Sequence, residues 1–398
     1  MRSAVVALLL ALVLPCVVGV QAAEPVAPYR VVGYDFGASW VPGETDTIPW
    51  KPIPASQARE LDTIIFAFAG IKNGRVVLTD TGARRLDSLV ALKKVNPHLR
   101  VELSVGGWGA GGFSEAASTA GGRQLFAASA TQLVVQHHLD GLDVDWEFPG
   151  SDAGGITASP DDRGDFTLLL AAVRSSLDAA AAADGHAYSL SIAAGLGNDL
   201  RDVDIAAINR YLDSFNVMTY DMCNKEPPGV HVTCHHSGLD AGPSAPAYVD
   251  TVARGVWQFI SAGVPPRKLV IGAAFYGHAY GDVTPKDDGL YQPYAKALDL
   301  GELSWPRVKA GFMDTDGFVR HWDPDAQAAW SWNAATHTFV TYDDPQSMAA
   351  KAAFVKANHL GGIMFWQLGD DPSGELLHAI AQGLDGGAAP ATAEGGGK

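Results

Sequence analysis

Eight short apolar segments, each rich in β-branched or aromatic residues, alternate along this chain with stretches of helical character. Such continuous apolar strands are typical of parallel sheets that helices cover on both faces. Eight of them joined by crossovers predict an α/β fold, the (β/α)8 TIM barrel. A doubly wound open sheet is the alternative, but it usually has fewer strands, and no phosphate-binding glycine loop follows the first strand. The predicted strands are residues 31–35, 63–69, 100–106, 141–147, 188–194, 214–220, 268–275 and 361–367.

One connection of the predicted barrel is much longer than the others. Residues 280–345, between strand 7 and strand 8, contain several aromatic residues and have the pattern of short strands and turns. Connections of this length usually carry structure of their own or a function. We therefore predict a barrel domain over residues 29–383, with a small α+β insertion at 280–345 on its C-terminal rim.

Three carboxylates stand at every second position of the fourth predicted strand: Asp143, Asp145 and Glu147. Residues two apart lie on one face of a strand, so these three acids crowd together, whereas Asp140 has the opposite parity. Like charges on one face raise one another's pKa and cost stability. A strand that keeps them either binds a cation or performs acid/base chemistry.

Position along the strand favours acid/base chemistry. Active sites of barrel enzymes lie at the C-terminal ends of the strands, and Glu147 is the acid nearest that rim. Coupling to Asp145 and Asp143 can keep Glu147 protonated as a general acid. A calcium loop would need a glycine turn, and the neighbours Val144 and Trp146 do not suit one.

Other strand ends supply aromatic and polar partners. The segment from Ser104 to Trp108 ends the third strand, and its paired glycines allow close backbone approach. The sixth strand ends in the segment from Met218 to Asp221, and the eighth carries Trp366. Aromatic faces of this kind stack against the apolar faces of sugar rings.

The two ends of the chain and its charge limit the partners. An apolar run over residues 4–20, followed by small residues, predicts a signal peptide at 1–22 and a secreted protein, either extracellular or periplasmic. We expect that no later stretch is apolar enough to span a membrane, and that the chain has no membrane contact once the signal peptide is removed. The net charge of -16 argues against a nucleic-acid partner and favours a neutral or cationic polymer. Residues 385–398 are rich in Gly, Ala and Pro and predict a disordered tail.

Cys223 and Cys234 remain after the signal peptide is removed. Two cysteines this close together in an exported chain predict a loop disulfide. Metal binding is the alternative, because His231, His235 and His236 lie nearby in the sequence.

These motifs together resemble glycoside hydrolase family 18, the chitinase family. The segment from Asp140 to Glu147 matches its D-x-x-D-x-D-x-E signature, and the segment from Ser104 to Gly107 matches S-x-G-G. The segment from Met218 to Asp221 matches M-x-Y-D, and Trp366 matches the tryptophan of the last strand. The resemblance covers residues 29–383, and the long seventh connection resembles the insertion domain of one chitinase subgroup.

The resemblance implies a retaining mechanism in which the 2-acetamido group of the substrate is the nucleophile, an exception to the two-carboxylate scheme. Glu147 would be the acid and then the base, and Asp145 would bind the acetamido N–H. Asp143 would share a proton with Asp145, and Tyr220 would hold the acetamido carbonyl oxygen.

The same resemblance implies the substrate-binding residues. Trp366 would form the floor under the cleaved sugar, with Phe68 and Met218 lining that pocket. Asp221 would contact sugar hydroxyls, and Trp108 would stack on the leaving-side sugar. It implies no metal and no cofactor, and we expect a monomer that binds chitin or chito-oligosaccharides.

One residue departs from the family pattern. Many members have Phe-Tyr-Gly-Arg after the seventh strand, whereas this chain has a histidine, His278, in place of the arginine. A histidine is shorter and titrates near neutral pH, so His278 is left out of the predicted site.

Three functions are consistent with the sequence. The first is a secreted chitinase that cleaves β-1,4 bonds between N-acetylglucosamine units. The second is an endo-β-N-acetylglucosaminidase that acts on N-glycans, and the third is a non-catalytic chitin-binding lectin. The long insertion favours the chitinase because it deepens a cleft for a linear polymer, and the presence of Glu147 disfavours the lectin.

Overall fold

The computed structural model describes residues 29–37, 51–224 and 231–385. In chain order, its strands are β1 Arg30–Phe36, β2 Thr63–Lys72, β3 Arg75–Val77, β4 Arg100–Gly106, β5 Gly141–Asp145, β6 Ser189–Ala194, β7 Ser214–Val217, β8 Leu269–Ala274, β9 Tyr276–Gly281, β10 Lys296–Ala297, β11 Leu303–Ser304, β12 Phe318–Asp323, β13 Ala328–Asn333, β14 Thr338–Tyr342 and β15 Gly362–Trp366. Its helices are α1 Ala55–Glu60, α2 Asp80–Val90, α3 Phe113–Ala117, α4 Ala120–Gln136, α5 Asp162–Asp184, α6 Ile205–Ile208, α7 Val252–Ser261, α8 Trp305–Gly311, α9 Pro345–Ala357 and α10 Glu375–Asp385.

Eight of the strands form a closed parallel barrel. Their order is β1-β15-β8-β7-β6-β5-β4-β2, and β1 also pairs with β2, which closes the sheet on itself. The (β/α)8 prediction is therefore confirmed, and the open-sheet alternative is wrong. The short strand β3 pairs antiparallel with the end of β2 and lies outside the barrel.

Two of the barrel strands end two or more residues earlier than predicted. β5 ends at Asp145 and not at Glu147, and β7 ends at Val217 and not at Tyr220. In both cases the backbone leaves the sheet at the C-terminal rim. Glu147 and Tyr220 therefore stand on the first turns after their strands, where a ligand can reach them.

The helix α5 covers one side of the barrel. It is long and apolar enough to cross a membrane by length and composition alone, so the expectation that no later stretch is apolar enough was wrong. However, Leu169, Leu170 and Val173 form a buried stripe within the hydrophobic core. This stripe explains the apolar composition of α5, because a helix that covers a barrel buries one face.

The connection between β8 and β15 carries a second sheet. Five of its strands pair antiparallel in the order β10-β9-β14-β13-β12, with β11 added on β9, and α8 packs beside them. The α+β insertion that was predicted at 280–345 thus has a defined structure. Its first strand begins at Tyr276, before the predicted boundary, because β9 follows β8 after a single residue.

A buried ion pair joins this sheet to the barrel. The Nζ atom of Lys351, on α9, donates to both carboxylate oxygens of Asp343, which follows β14, and to Ser237 Oγ at 2.9 Å. Asp343 Oδ2 also accepts a hydrogen bond of 3.1 Å from the backbone N–H of Ala274, the last residue of β8. Burial raises the pKa of Asp343, but the adjacent Lys351 outweighs this effect and holds it below its ordinary value.

The predictions for the two ends fall mainly outside the described residues. The predicted signal peptide, residues 1–22, lies entirely outside the described residues, and so do residues 386–398 of the predicted tail. Asp385, the first residue of the predicted tail, is instead the last residue of α10.

Candidate active site

The deepest of the three acids, Asp143, lies in the barrel interior within a ring of hydrogen-bond donors. Its Oδ2 accepts from Tyr34 Oη at 3.0 Å and from Ser104 Oγ at 2.8 Å. Its Oδ1 accepts from Ser191 Oγ at 2.6 Å and from Asn216 Nδ2 at 3.2 Å. The donors come from four different strands, β1, β4, β6 and β7, so closure of the barrel creates this ring.

The two buried acids are pushed toward their protonated forms. Burial raises the pKa of Asp143, although its four hydrogen-bond donors oppose the rise. Burial also raises the pKa of Asp145 well above its ordinary value, and the nearby Glu147 and Asp143 raise it further. Asp145 Oδ1 is buried and accepts no hydrogen bond from the described residues. A carboxyl in this state can hold a proton or accept an N–H from a ligand.

Glu147 lies at the mouth of the barrel, half-buried, after the end of β5. It lines a cavity of 750 Å³ together with Asp145, Tyr220 and Trp366. A cavity of this volume is in the range of small-molecule sites in proteins. The structure thus brings the two outer acids to the edge of a space that a ligand can occupy.

Tyr220 faces the same cavity from the end of β7. It is 8% exposed, and the hydrogen-bond contact of its Oη is with the Met364 sulfur at 4.0 Å. Burial, together with Asp145 and Asp221, raises its pKa well above the ordinary value for tyrosine. The phenol is therefore neutral and can donate its O–H to a ligand oxygen.

Aromatic rings form the apolar part of the cavity wall. Trp366 and Phe68 stack with their centroids 5.7 Å apart and their planes 19° from parallel. Phe36 packs against both rings, and Met218 lines the cavity near them. The structure therefore brings Trp366, Phe68 and Met218 together on one wall, and the sugar-binding role that the resemblance implies for them stays a prediction.

Two glycines at the end of β4 allow Asp145 and the Phe68 ring to pack close to the backbone. Gly106 has φ of 122°, and a Cβ at this position would lie 2.0 Å from the carbonyl oxygen of Asp145. Gly107 has φ of 93°, and its Cβ would lie 2.6 Å from the Phe68 ring. Any side chain at either position would displace the site. The next residue, Trp108, is 58% exposed on the rim of the cavity.

Residues 30–371 match the family model described as glycosyl hydrolases family 18. The chain belongs to this family. Chitinase A1 of Niallia circulans is 33% identical over 342 residues, which are 81% of this chain and 48% of that protein. Chitinase 1 of Aphanocladium album is also 33% identical, over 74% of this chain and 68% of that protein. This chain thus spans about half the length of Chitinase A1.

Solved structures of family 18 share the fold. A family 18 N-acetylglucosaminidase from Paenibacillus barengoltzii superimposes with a TM-score of 0.78 at 39% identity. The match covers 89% of this chain and 99% of that one. The similarity therefore extends over the whole barrel and its insertion, not over one motif alone.

In this family 18 chain, Asp221 is surrounded by Tyr276, His236 and His278. None of the three belongs to the site that the sequence predicts. Asp221 Oδ1 accepts from Tyr276 Oη at 2.8 Å and contacts His278 Nε2 at 2.7 Å. His236 Nδ1 lies 3.7 Å from the same oxygen. Burial would raise the pKa of Asp221, but His236 and His278 outweigh it and hold the pKa well below its usual range.

The sequence contained a signal for some of these partners. The strand β9 begins directly after a barrel strand, so Tyr276 and His278 had to lie near the rim of the family 18 cleft. His236 follows Asp221 by 15 residues and belongs to none of the motifs, and only the fold brings its ring to that carboxylate. Ser191 and Asn216 are polar residues in otherwise apolar strands, and that pattern could have identified them as partners of a buried acid.

The two cysteines form a disulfide, as predicted, with their Cα atoms 5.5 Å apart. Neither sulfur is then available as a metal ligand. The alternative of a metal site that includes these cysteines is therefore wrong. Of the three neighbouring histidines, His235 contacts Asp323 through Nε2 at 3.1 Å.

Proposed function

We propose that this chain hydrolyses β-1,4 bonds between N-acetylglucosamine units of chitin, with retention of configuration. The observation that carries the proposal is the pair formed by Asp145 and Glu147. Asp145 is buried, has a raised pKa and accepts no hydrogen bond at Oδ1 from the part of the chain that the structure describes, while Glu147 lines the same cavity. This pair suits a substrate that brings both an N–H group and its own nucleophile.

In the first step Glu147 donates its proton to the glycosidic oxygen, and the bond to the leaving sugar breaks. The 2-acetamido carbonyl oxygen of the substrate attacks the anomeric carbon and forms an oxazolinium ion, with the positive charge shared between ring nitrogen and oxygen. The leaving sugar departs as an alcohol. In the second step Glu147 takes a proton from water as the water oxygen bonds to the anomeric carbon. The bond from that carbon to the acetamido oxygen breaks, which regenerates the acetamido group and the acid form of Glu147.

Asp145 and Tyr220 orient the acetamido group in this proposal. The unpartnered Oδ1 of Asp145 accepts its N–H and stabilises the charge of the oxazolinium ion. The neutral Tyr220 donates its O–H to the carbonyl oxygen before attack, which holds the nucleophile in line. Asp143 shares a proton with Asp145, and its four donors let it accept negative charge when that proton moves outward.

The remaining site residues bind sugar rings. We propose that Trp366 lies under the sugar that is cleaved, with Phe68 and Met218 beside it. Trp108 is placed to stack on a sugar on the leaving side, and Asp221 binds hydroxyl groups. The proposed chemistry uses no metal and no cofactor.

Glu147→Gln tests the role of the proton donor. Because general acid/base groups contribute about 10²- to 10⁴-fold, turnover of chito-oligosaccharides should fall at least 100-fold while their binding remains. Glu115→Gln makes the same chemical change at an exposed position of α3 and should leave turnover unchanged. Unchanged turnover in Glu147→Gln would contradict the mechanism.

The anomer of the new reducing end tests the nucleophile. Retention is expected, and NMR of the first products of hydrolysis measures it before mutarotation. An inverted product would require water to attack directly, and the substrate-assisted mechanism would then be wrong.

A second candidate is the release of single N-acetylglucosamine units from chain ends. The 39% identity to the Paenibacillus barengoltzii N-acetylglucosaminidase supports it. Product analysis on oligosaccharides of defined length separates the two functions. Monosaccharide as the first product from a hexamer supports release from the end, whereas dimers and trimers support internal cleavage.

We also propose that the protein is secreted and acts as a monomer. The apolar run at the N-terminus supports export. Detection of chain that starts near residue 23 outside the cytoplasm would test export, and light scattering of that protein would test its oligomeric state.

A further inference from the structure

We propose that Asp221, His236 and His278 form a binding site for a divalent transition-metal ion, with zinc as the best-fitting occupant. Each residue offers one ligand atom, and these atoms all lie within 4.8 Å of one another. In the described part of the chain, this is the one group of three or more such side chains that meets this spacing. The inference goes beyond the proposed hydrolysis, which uses no ion.

The state of the His236 ring is the observation that points to a ligand. His236 is completely buried, yet neither Nδ1 nor Nε2 has a hydrogen-bond partner among the described residues. A neutral imidazole carries one N–H donor and one acceptor, and buried polar atoms are nearly always paired. Its Nδ1 is directed toward Asp221, at a distance too long for a hydrogen bond. A bound ion would satisfy that nitrogen.

The distances fit a tetrahedral site after a small movement. Zinc binds imidazole nitrogen at about 2.0–2.1 Å and carboxylate oxygen at about 2.0–2.2 Å, so adjacent ligand atoms lie about 3.4 Å apart. The His236 Nδ1 to Asp221 Oδ1 distance is 3.7 Å. The His278 Nε2 to Asp221 Oδ1 distance is 2.7 Å and would open by rotation of His278, which is 31% exposed.

The orientation of the two rings agrees with this geometry. The centroids of His236 and His278 are 5.0 Å apart, and the ring planes are 88° from parallel. Two imidazoles on one tetrahedral zinc ion have centroids about 5 Å apart. On binding, His278 would carry its proton on Nδ1 and present the lone pair of Nε2 to the ion.

Two imidazoles and one carboxylate favour zinc over calcium or magnesium. Hard cations prefer all-oxygen sites with six or more ligands, whereas zinc accepts three protein ligands and one further ligand. Asp221 lines the cavity, so the ion would lie beside the space that substrate would fill. The bound ion would occupy Asp221 and compete with the sugar that this carboxylate binds.

Direct metal binding tests the proposal without reference to activity. Untagged protein is titrated with Co²⁺, followed by visible absorption, and then with Zn²⁺ in competition. One ion per chain is expected, with the strong absorption of four-coordinate Co²⁺. Because loss of even an outer-shell partner weakens metal affinity about 10–100-fold, His278→Gln and Asp221→Asn should each weaken it at least tenfold.

His378→Gln is the matched control. His378 is an exposed histidine that contacts a carboxylate, Glu60, at 2.7 Å on the outside of the barrel. Its replacement should leave the affinity for Co²⁺ unchanged. His236→Gln should also abolish Co²⁺ binding if circular dichroism confirms that the variant folds. If it does not fold, the variants at the partly exposed residues Asp221 and His278 still test the proposal.

The activity of the wild-type protein supplies a second measurement. Zn²⁺ should raise KM for oligosaccharides with little effect on kcat, and His278→Gln should remove this inhibition. Absence of stoichiometric Co²⁺ binding, or equal affinity in wild type, His278→Gln and Asp221→Asn, would overturn the proposal. Failure of Glu147→Gln to abolish hydrolysis would affect the proposed function alone, because metal binding is measured without substrate.

Discussion

Asp145→Asn should make the protein more stable at alkaline pH, although it removes a residue of the proposed machinery. Burial and the nearby acids Glu147 and Asp143 raise the pKa of Asp145 in the folded state. The unfolded chain returns this carboxyl to a pKa of about 3.9. Below about pH 3 it is protonated in both states, and near pH 4 the unfolded chain only begins to ionise it, so its cost is still small. As the pH rises through the folded pKa, the folded state must ionise a buried carboxyl, and stability is lost.

The expected change in Tm follows from the linkage between protonation and stability. Each pKa unit by which folding raises this group corresponds to about 1.4 kcal/mol at high pH. The structure describes about 340 residues, so the entropy of unfolding is about 0.7 kcal/mol/K and 1 kcal/mol corresponds to about 1.4 °C in Tm. An uncharged amide of the same shape should therefore raise Tm by at least about 2 °C at pH 8 and by much less at pH 4.

Differential scanning calorimetry of both proteins at pH 4 and pH 8 measures this effect. Comparison between the two pH values removes packing effects, because these do not depend on protonation. Asp178→Asn changes a carboxylate on α5 that is 65% exposed and pairs with Arg174, and it should alter Tm little at either pH. In a Glu147→Gln background the gain from Asp145→Asn should shrink, since one of the repelling charges is absent.

The reasoning would be refuted if Asp145→Asn lowered Tm at pH 8 as much as at pH 4. The carboxylate would then be stabilised in the native state, and the three acids would not repel one another as proposed. Activity should fall in the variant in either case, so stability and activity would move in opposite directions only if the reasoning is right.

Three further predictions concern the site and its support. Tyr220→Phe should lower kcat more than it raises KM, because the phenol positions the acetamido group; equal losses in binding and turnover would argue against that role. Lys351→Met should cost about 3–5 kcal/mol, or about 4–7 °C in Tm, because it leaves the charge of Asp343 buried without its cationic partner; a smaller loss in the Lys351→Met/Asp343→Leu double variant would support this cause. Replacing Cys223 and Cys234 by serine opens a loop with a sequence separation of 11, and the loss of about 3 kcal/mol, or about 4 °C in Tm, can be measured by calorimetry. Two free thiols in the exported wild type would contradict the disulfide.

The acid ladder was predictable because it depends on strand periodicity alone. The side chains of a strand alternate, so the parity of Asp143, Asp145 and Glu147 placed them on one face before any tertiary structure was known. Burial of the neighbours Val144 and Trp146 follows from the same alternation. The barrel was predictable for a similar reason, since each of its strands is a local apolar segment.

The partners of the acids were less predictable because they depend on distant pairing. Tyr34 and Ser191 lie on strands far from Asp143 in sequence, and only barrel closure and register bring them to it. The partners of Asp221 depend on the insertion and on a loop whose course has no local pattern. His278 was excluded from the predicted site for its short side chain, yet it contacts Asp221 directly because β9 brings it close.

The position of β9 limits how the insertion could be removed from the barrel. An inserted domain can usually be removed at its two junctions without disrupting the parent domain. Here the junction is a single residue, Phe275, and the first strand of the insertion already supplies Tyr276 and His278 to Asp221. A minimal barrel engineered by excision would have to keep β9 and splice beyond Gly281. The boundary between barrel and insertion therefore runs along the cavity that Asp221 and Tyr276 line, and excision at that boundary would remove two partners of Asp221.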